Sequence, residues 1–412
     1  MKVRVETYGC TMNQGEGAEL AERLAALGHE VTEDPAEAEL VVLNTCTVIK
    51  ETEGRMLRRM AELNGQRKRL IVVGCMASVQ PDDIVRHAPN ALILAPRNYD
   101  SFSSLVEENI GRGGCPAPML PSPTTSVLPI AQGCVGACSY CITRHARGTL
   151  TSYPVENLAR QARTALEGGA SEILVTAQDT ACYGFDAGTD LSVLLDAITA
   201  LPGEFMVRVG MMNPDNLGRI IDRFIPSWTS PRVYQFVHLP VQSGSAAVLE
   251  GMNRGYRPEE FATLVRELRA ASPGMTLSTD VITGFPGESD EDHRATVALL
   301  REVRPDIVNV TRFSPRQGTP AARSRNQVHG GISKERSREL TGLRFEISAE
   351  VNAALVGGQE RVLVTEPGKN DTSIGRTRSY KQVVLSGRLR AGTWLEVEIS
   401  DSAPTHLFGR PL

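Results

Sequence analysis

A chain of 412 residues that is 41% hydrophobic can bury a core in each of two or three domains. Its eight cysteines are too sparse for a secreted disulfide framework, and no apolar run approaches the roughly 18 residues of a membrane helix. Charged Lys2, Arg4 and Glu6 argue against a signal peptide, so a soluble cytoplasmic protein with no membrane partner is expected, and a formal net charge of −4 does not by itself mark a nucleic-acid binder.

In chain order, Lys2–Tyr8 reads as a strand, Gly17–Leu27 as an amphipathic helix, Leu40–Asn44 as a buried strand and Glu53–Leu63 as a helix. Leu70–Val73 and Ala91–Leu94 add two more strands. Strands alternating with helices predict a parallel α/β domain over residues 1–110. Cys10, Cys46 and Cys75 each follow one of the first three strong strands, at the carboxyl edge where open α/β sheets build their sites. A lone free cysteine is ordinarily an inert core residue. Three at successive strand ends suggest three thiolate ligands of an iron–sulfur cluster.

Residues 111–125, with four prolines and three glycines, read as a linker. It contains Cys115, which has no expected role; Cys182, farther on, reads as a small buried side chain. After the linker, Cys134, Cys138 and Cys141 form a C-x3-C-x2-C triplet with Tyr140 before the last thiol. Three thiolates this close can hold three irons of a four-iron cluster and leave the fourth open to a substrate. A zinc site completed by His145 competes with that reading on spacing alone.

Residues 126–350 repeat the strand–helix unit. Strands are expected at Leu128–Ala131, Ile173–Ala177, Met206–Met211, Val233–His238, Met275–Ile282 and Ile307–Phe313. Helices are expected at Pro154–Glu167, Leu191–Leu201, Pro258–Ala271 and Asp290–Val303. Six units predict an open (β/α)6 partial barrel with its site at the carboxyl ends of the strands. The polar residues placed there, Gln178, Asp179, Gln242, Ser243 and Asp280, with Arg208 in the third strand, are candidates for binding a zwitterionic, ribose-bearing cofactor. Each such loop taken singly could equally be turn chemistry.

From about residue 355 to 412, short alternating runs at Arg361–Thr365, Gln382–Leu385 and Trp394–Ile399 predict a small all-β barrel of five strands. Residues 1–110 hold 12 Lys and Arg against 17 Asp and Glu, whereas residues 361–412 hold 8 against 5 and residues 301–350 hold 10 against 6. A polyanion should therefore dock late in the chain. Arg376, Arg378, Tyr380 and Lys381, basic residues interleaved with an aromatic, suit RNA backbone contact and base stacking. A solvated hairpin is the plainer alternative.

Taken together, the six cysteines, His238-Leu-Pro-Val-Gln-Ser-Gly-Ser245, Thr279-Asp-Val-Ile-Thr-Gly-Phe-Pro-Gly-Glu-Ser289 and Gly375-Arg-Thr-Arg-Ser-Tyr-Lys381 resemble the methylthiotransferase family of radical S-adenosylmethionine (SAM) enzymes. That family has an amino-terminal cluster domain, a radical SAM core and a carboxyl-terminal TRAM barrel. The resemblance implies two [4Fe-4S] clusters: one on Cys134, Cys138 and Cys141 that cleaves SAM to a radical, and one on Cys10, Cys46 and Cys75 that presents sulfur. It also implies a reducing electron donor, a sulfur donor and, as substrate, an adenosine beside the anticodon of tRNA in its stem-loop or an aspartate of a ribosomal protein. Glu6-Thr-Tyr-Gly-Cys-Thr-Met-Asn13 and the arginine-bearing tail look closest to the archaeal and eukaryotic-like branch acting on threonylcarbamoyladenosine rather than isopentenyladenosine. Gly15-Glu-Gly17 departs from the expected pattern. Readings of other classes are an electron-transfer protein with fully ligated clusters and a zinc-stabilised RNA-binding protein.

Overall fold

The computed structural model describes residues 1–47, 50–114 and 124–412, so Cys115 and most of the expected linker lie outside the described residues. The chain divides into two compact units: Met1–Pro121 with Ala131–Gly136 and Cys141–Thr151, and Ser122–Ile130 with Ala137–Tyr140 and Ser152–Leu412.

The first unit runs β1 (Lys2–Thr7), α1 (Thr11–Ala26), β2 (Glu30–Val31), β3 (Leu40–Thr45), α2 (Lys50–Gly65), β4 (Arg69–Gly74), α3 (Cys75–Val79), α4 (Pro81–His87), β5 (Leu92–Leu94) and α5 (Phe102–Asn109). All pairings are parallel, in the order β2-β1-β3-β4-β5, a doubly wound sheet whose strand order reverses between β1 and β3. Period-two side-chain alternation makes β3 apolar on both faces. Leu40 and Val42 join Leu20, Leu24 and Phe102 on one side, while Val41 and Leu43 join Met56, Met60 and Ile84 on the other. Helix α1 begins six residues earlier than the periodicity predicts, taking in Gly15 and Gly17, both poor helix formers. Gly17 is where the helix crosses β1: a Cβ there would lie 2.1 Å from Thr7 Oγ1.

After β6 (Thr125–Pro129), β7 (Ala131–Gln132), α6 (Thr143–Arg147) and β8 (Thr151–Ser152), the second unit continues through α7 (Val155–Glu167), β9 (Glu172–Thr176), α8 (Leu191–Thr199) and β10 (Met206–Val209). It then runs α9 (Pro214–Gly218), α10 (Ile221–Trp228), β11 (Phe236–His238), α11 (Ala246–Gly251), α12 (Pro258–Ala271), β12 (Thr276–Thr283), α13 (Asp290–Val303), β13 (Ile307–Arg312) and α14 (Gly330–Ala353). Six parallel strands follow in chain order, β6-β9-β10 and β11-β12-β13. Single parallel bridges, Val207 to Val233 and Met211 to His238, join the two sheets. The six-strand open barrel expected from the sequence is thus present.

Strands β14 (Gln359–Pro367), β15 (Thr372–Arg376), β16 (Gln382–Ser386), β17 (Trp394–Ala403) and β18 (His406–Pro411) close a barrel around Val362, Val364, Val383, Leu385, Val397, Ile399 and Leu407. Lys381 fastens this barrel to the core: its Nζ donates to Asp306 Oδ1 at 2.6 Å and to Asn352 Oδ1 at 2.9 Å, with side chains only 10% and 6% exposed across the ion pair. Removing one partner of a buried pair leaves a desolvated charge, so Lys381→Met should lower stability by about 3–5 kcal/mol, read as a lower urea midpoint. No helix among the described residues is long and apolar enough to cross a membrane.

Candidate active site

In the first unit, the register sets Thr45 of β3 level with Gly74 of β4, so Cys46 and Cys75 leave adjacent strands side by side. Cys10 follows neighbouring β1 as the N-cap of α1. The turns are tight. Gly9 has φ +117°, and a Cβ there would come 2.6 Å from Cys46 Cβ; at Gly74, φ +89°, a Cβ would lie 2.3 Å from Thr45 O. These glycines let the backbone bring the cysteine-bearing turns together.

Asn13 ties the same turns to one another. Its Nδ2 donates to Tyr8 O at 3.0 Å and Thr45 O at 2.8 Å, and Cys10 Sγ lies 3.4 Å from its Oδ1. Arg147, 1% exposed at its side chain, reaches the trio from α6. Its guanidinium forms a bidentate pair with Glu16, and its Nε donates to Cys75 Sγ at 3.3 Å. Burial pushes the Cys75 thiol up to about 11, with the Arg147 cation acting in the opposite direction. A positive charge beside a buried sulfur is what a ligating thiolate needs. Spacing could not have found Asn13, Glu16 or Arg147, since the Arg147–Glu16 contact spans 131 positions.

Of the triplet, Cys134 and Cys141 belong to the first unit and Cys138 to the second. Cys134 Sγ accepts from Gly136 N at 3.2 Å, and Arg144 Nη1 holds Gly136 O at 2.8 Å. His145, the proposed fourth zinc ligand, is exposed on α6 next to buried Ala146 and Arg147. In the second unit, Ala137–Tyr140 is pinned to the turn after α11. Asn253 Nδ2 donates to Ala137 O at 2.8 Å, Ser139 N to Met252 O at 3.0 Å and Ala321 N to Ser139 O at 2.9 Å. Arg254 Nη1 stands 3.5 Å from Cys138 Sγ, so each unit sets an arginine against a candidate thiolate. The Tyr140 ring meets Phe285 edge-on at 6.4 Å, which couples the triplet to the Thr283-Gly-Phe-Pro286 turn.

Among the described residues no three His, Cys, Asp or Glu side chains converge on a single ion. A cubane does not require that, because each thiolate takes its own iron. Buried Cys75 facing Arg147 and half-buried Cys138 facing Arg254 fit such a group.

The expected cofactor residues divide into scaffold and open groups. Gln178 and Asp179 follow β9. Asp179 is buried, and its carboxylate accepts from Ala181 N, Asn213 N at 2.9 Å and Asn216 Nδ2 at 2.7 Å; burial raises its pKa against these bonds. It therefore holds the β10–α9 turn. Ser243 Oγ lies 3.3 Å from Thr296 Oγ1 and accepts from Ser245 N, which ties its loop to α13.

Gln242, beside it, is different. Its backbone is left-handed at φ +65°, a conformation that costs a non-glycine residue about 1–3 kcal/mol, and its Oε1 is buried with no partner among the described residues. Strain together with an orphaned acceptor marks a ligand position. Asp280 Oδ1 accepts from His238 Nε2 at 2.9 Å and Asn309 Nδ2 at 2.8 Å. Burial pushes its pKa up, but these bonds outweigh it and hold it below the ordinary range. Arg208 lies within β10, the third strand, as expected. Its guanidinium sits 5.0 Å from the Phe236 ring centroid and 5.1 Å from that of Tyr380.

Of the four residues expected to meet RNA, Arg378 is exposed. Lys381 is committed to Asp306, Arg376 faces Glu366 at 3.6 Å, and Tyr380 packs on Tyr234 at 4.7 Å and Phe236 at 5.1 Å.

Sequence profiles match in three places: uncharacterized protein family UPF0004 over residues 2–95, the radical SAM superfamily over 128–300 and the TRAM domain over 353–412. A relative from Pyrococcus abyssi, called probable threonylcarbamoyladenosine tRNA methylthiotransferase, is 41% identical over 99% of both chains. The threonylcarbamoyladenosine tRNA methylthiotransferase of Danio rerio is 34% identical over 100% of this chain and 78% of its own. The solved radical SAM methyltransferase TsrM from Kitasatospora setae is similar in fold, with a TM-score of 0.58 at 15% identity over 78% of this chain and 76% of that one. With end-to-end likeness to archaeal and animal relatives, the chain belongs to the threonylcarbamoyladenosine tRNA methylthiotransferase family of radical SAM enzymes.

Proposed function

We propose that this protein converts N6-threonylcarbamoyladenosine at position 37 of tRNA into its 2-methylthio derivative. The observation that carries this reading is one cysteine at the end of each of three adjacent parallel strands, in the same chain as a C-x3-C-x2-C triplet that follows the first strand of a six-strand open barrel. The relatives' names supply the substrate. In this reading Cys134, Cys138 and Cys141 hold one [4Fe-4S] cluster and Cys10, Cys46 and Cys75 a second. When bound, the first supplies the electron that splits SAM and the second supplies the sulfur.

The chain's own residues bind and orient. Arg254 and Arg147 offset thiolate charge. Gln242 offers its free Oε1 to a donor on SAM, with Gln178 and Asp280 also at the carboxyl ends of strands and Asp179 and Ser243 fixing the loops. Of the four tail residues expected to meet RNA, Arg378 is the exposed one and can reach RNA backbone. A second SAM as methyl donor, an external reductant and a sulfur donor complete the cycle, and the thiolates require a reducing compartment, the cytoplasm.

Nucleoside mass spectrometry of tRNA from cells with and without the gene tests the substrate. The expected result is 2-methylthio-threonylcarbamoyladenosine replaced by threonylcarbamoyladenosine in the deletion. An unchanged nucleoside profile would refute it.

A further inference from the structure

A cavity of about 420 Å3 opens among the amino-terminal ends of β11, β12 and β13, helix α14 and the β15–β16 turn, at the opposite end of the strands from the cofactor loops. Its size falls in the small-ligand range of roughly 300–1,000 Å3. Arg208, Arg344, Arg376 and Lys381 line it, with Asp306 the one carboxylate, already bound to Lys381. Arg208 Nε, Arg344 Nε and Thr276 Oγ1 are buried with no hydrogen-bond partner among the described residues. The Arg208 guanidinium rests against both the Phe236 and Tyr380 rings, 5.0 and 5.1 Å from their centroids, which narrows the directions its donors can take. The wall also includes His238, whose ring is bonded to Asp280 nearer the carboxyl ends. His238 thus ties one wall of the cavity to Asp280 of β12.

Cationic excess, a fixed planar donor and an unpaired hydroxyl call for a small anion that also carries hydrogen-bonding groups. A threonylcarbamoyl arm has this chemistry: a free α-carboxylate, a carbamoyl group and a hydroxyl on a short chain. We infer, resting on the substrate proposed above, that this cavity receives the arm of the modified base, with Arg208 binding the threonyl carboxylate and Thr276 its polar neighbours. An apolar isopentenyl arm would leave Arg208 and Thr276 desolvated and unpaired, so the same groups reject it. Arg208 is then a determinant of substrate choice rather than a SAM ligand.

The test is fluorescence anisotropy of the full-length protein with three anticodon stem-loop RNAs. One carries threonylcarbamoyladenosine, one the same base with its carboxylate capped as a methylamide, and one plain adenosine. The wild-type protein should bind the free carboxylate about 10–100-fold more tightly than the capped form, as expected for a buried charge-assisted hydrogen bond. Arg208→Gln should level the two while keeping its affinity for the plain RNA, and Arg208→Lys should restore part of the preference. Equal wild-type binding of the free and capped forms, both tighter than plain adenosine, would overturn the inference while leaving the substrate reading intact. So would an Arg208→Gln protein that keeps the full preference, or one that weakens on all three RNAs alike, which would assign Arg208 to the phosphate backbone. Equal wild-type binding of all three would count against the substrate reading itself.

Discussion

Replacing Cys138 with alanine should bring 5′-deoxyadenosine formation from SAM down by more than about 10³-fold, since the bound group and not the protein carries the hard step. The change removes one sulfur from a half-buried position held mainly by backbone contacts at Ala137 and Ser139, so the fold should lose no more than about 1 kcal/mol. Iron bound at Cys10, Cys46 and Cys75 should be retained. The check is chromatographic detection of 5′-deoxyadenosine under anaerobic reduction, beside a urea unfolding curve. Retention of more than a tenth of the wild-type rate would remove Cys138 from the ligand set.

A second large effect is expected at Arg147, for a different reason. Arg147 and Glu16 are both buried, and the guanidinium also faces the Cys75 sulfur and Asn13. Arg147→Met keeps the volume but leaves the buried Glu16 carboxylate without its cation, which should cost about 3–5 kcal/mol in the first unit. Adding Glu16→Leu removes the stranded charge, so the double variant should recover much of that loss. Urea midpoints of the two single variants and the double variant measure this directly. A double variant no more stable than Arg147→Met would show that the pair is not what holds this region together.

How much of this was legible beforehand depends on the range of the interaction. Helices α12 and α13 begin and end where the periodicity places them, because local signals agree with the apolar stripe: Pro258 opens one, and a Ser289–Asp292 capping box opens the other. The fully buried β3 shows as a continuous apolar run. The start of α1 was hidden because Gly15 and Gly17 are weak helix formers, the second kept there by close approach to Thr7 of β1. Short α3, α4 and α9 carry too few turns for a period.

The placement of Cys10, Cys46 and Cys75 just after strands was legible because the apolar runs before them mark β1, β3 and β4. The contacts of Arg147, Arg254 and Asn13 with those turns and sulfurs were not, since each partner lies far along the chain. The tail shows the same limit in reverse. Its Arg-Thr-Arg-Ser-Tyr-Lys run reads as a basic surface, yet a negative partner waits at Asp306, 75 positions earlier, and Lys381 turns inward to meet it.

The account stands most directly on the metal content of the wild-type protein reconstituted anaerobically with iron and sulfide. About eight irons and eight acid-labile sulfides per chain are predicted, four of each at the Cys134 triplet and four at the strand-end trio. About four of each, or zinc without sulfide, would contradict it.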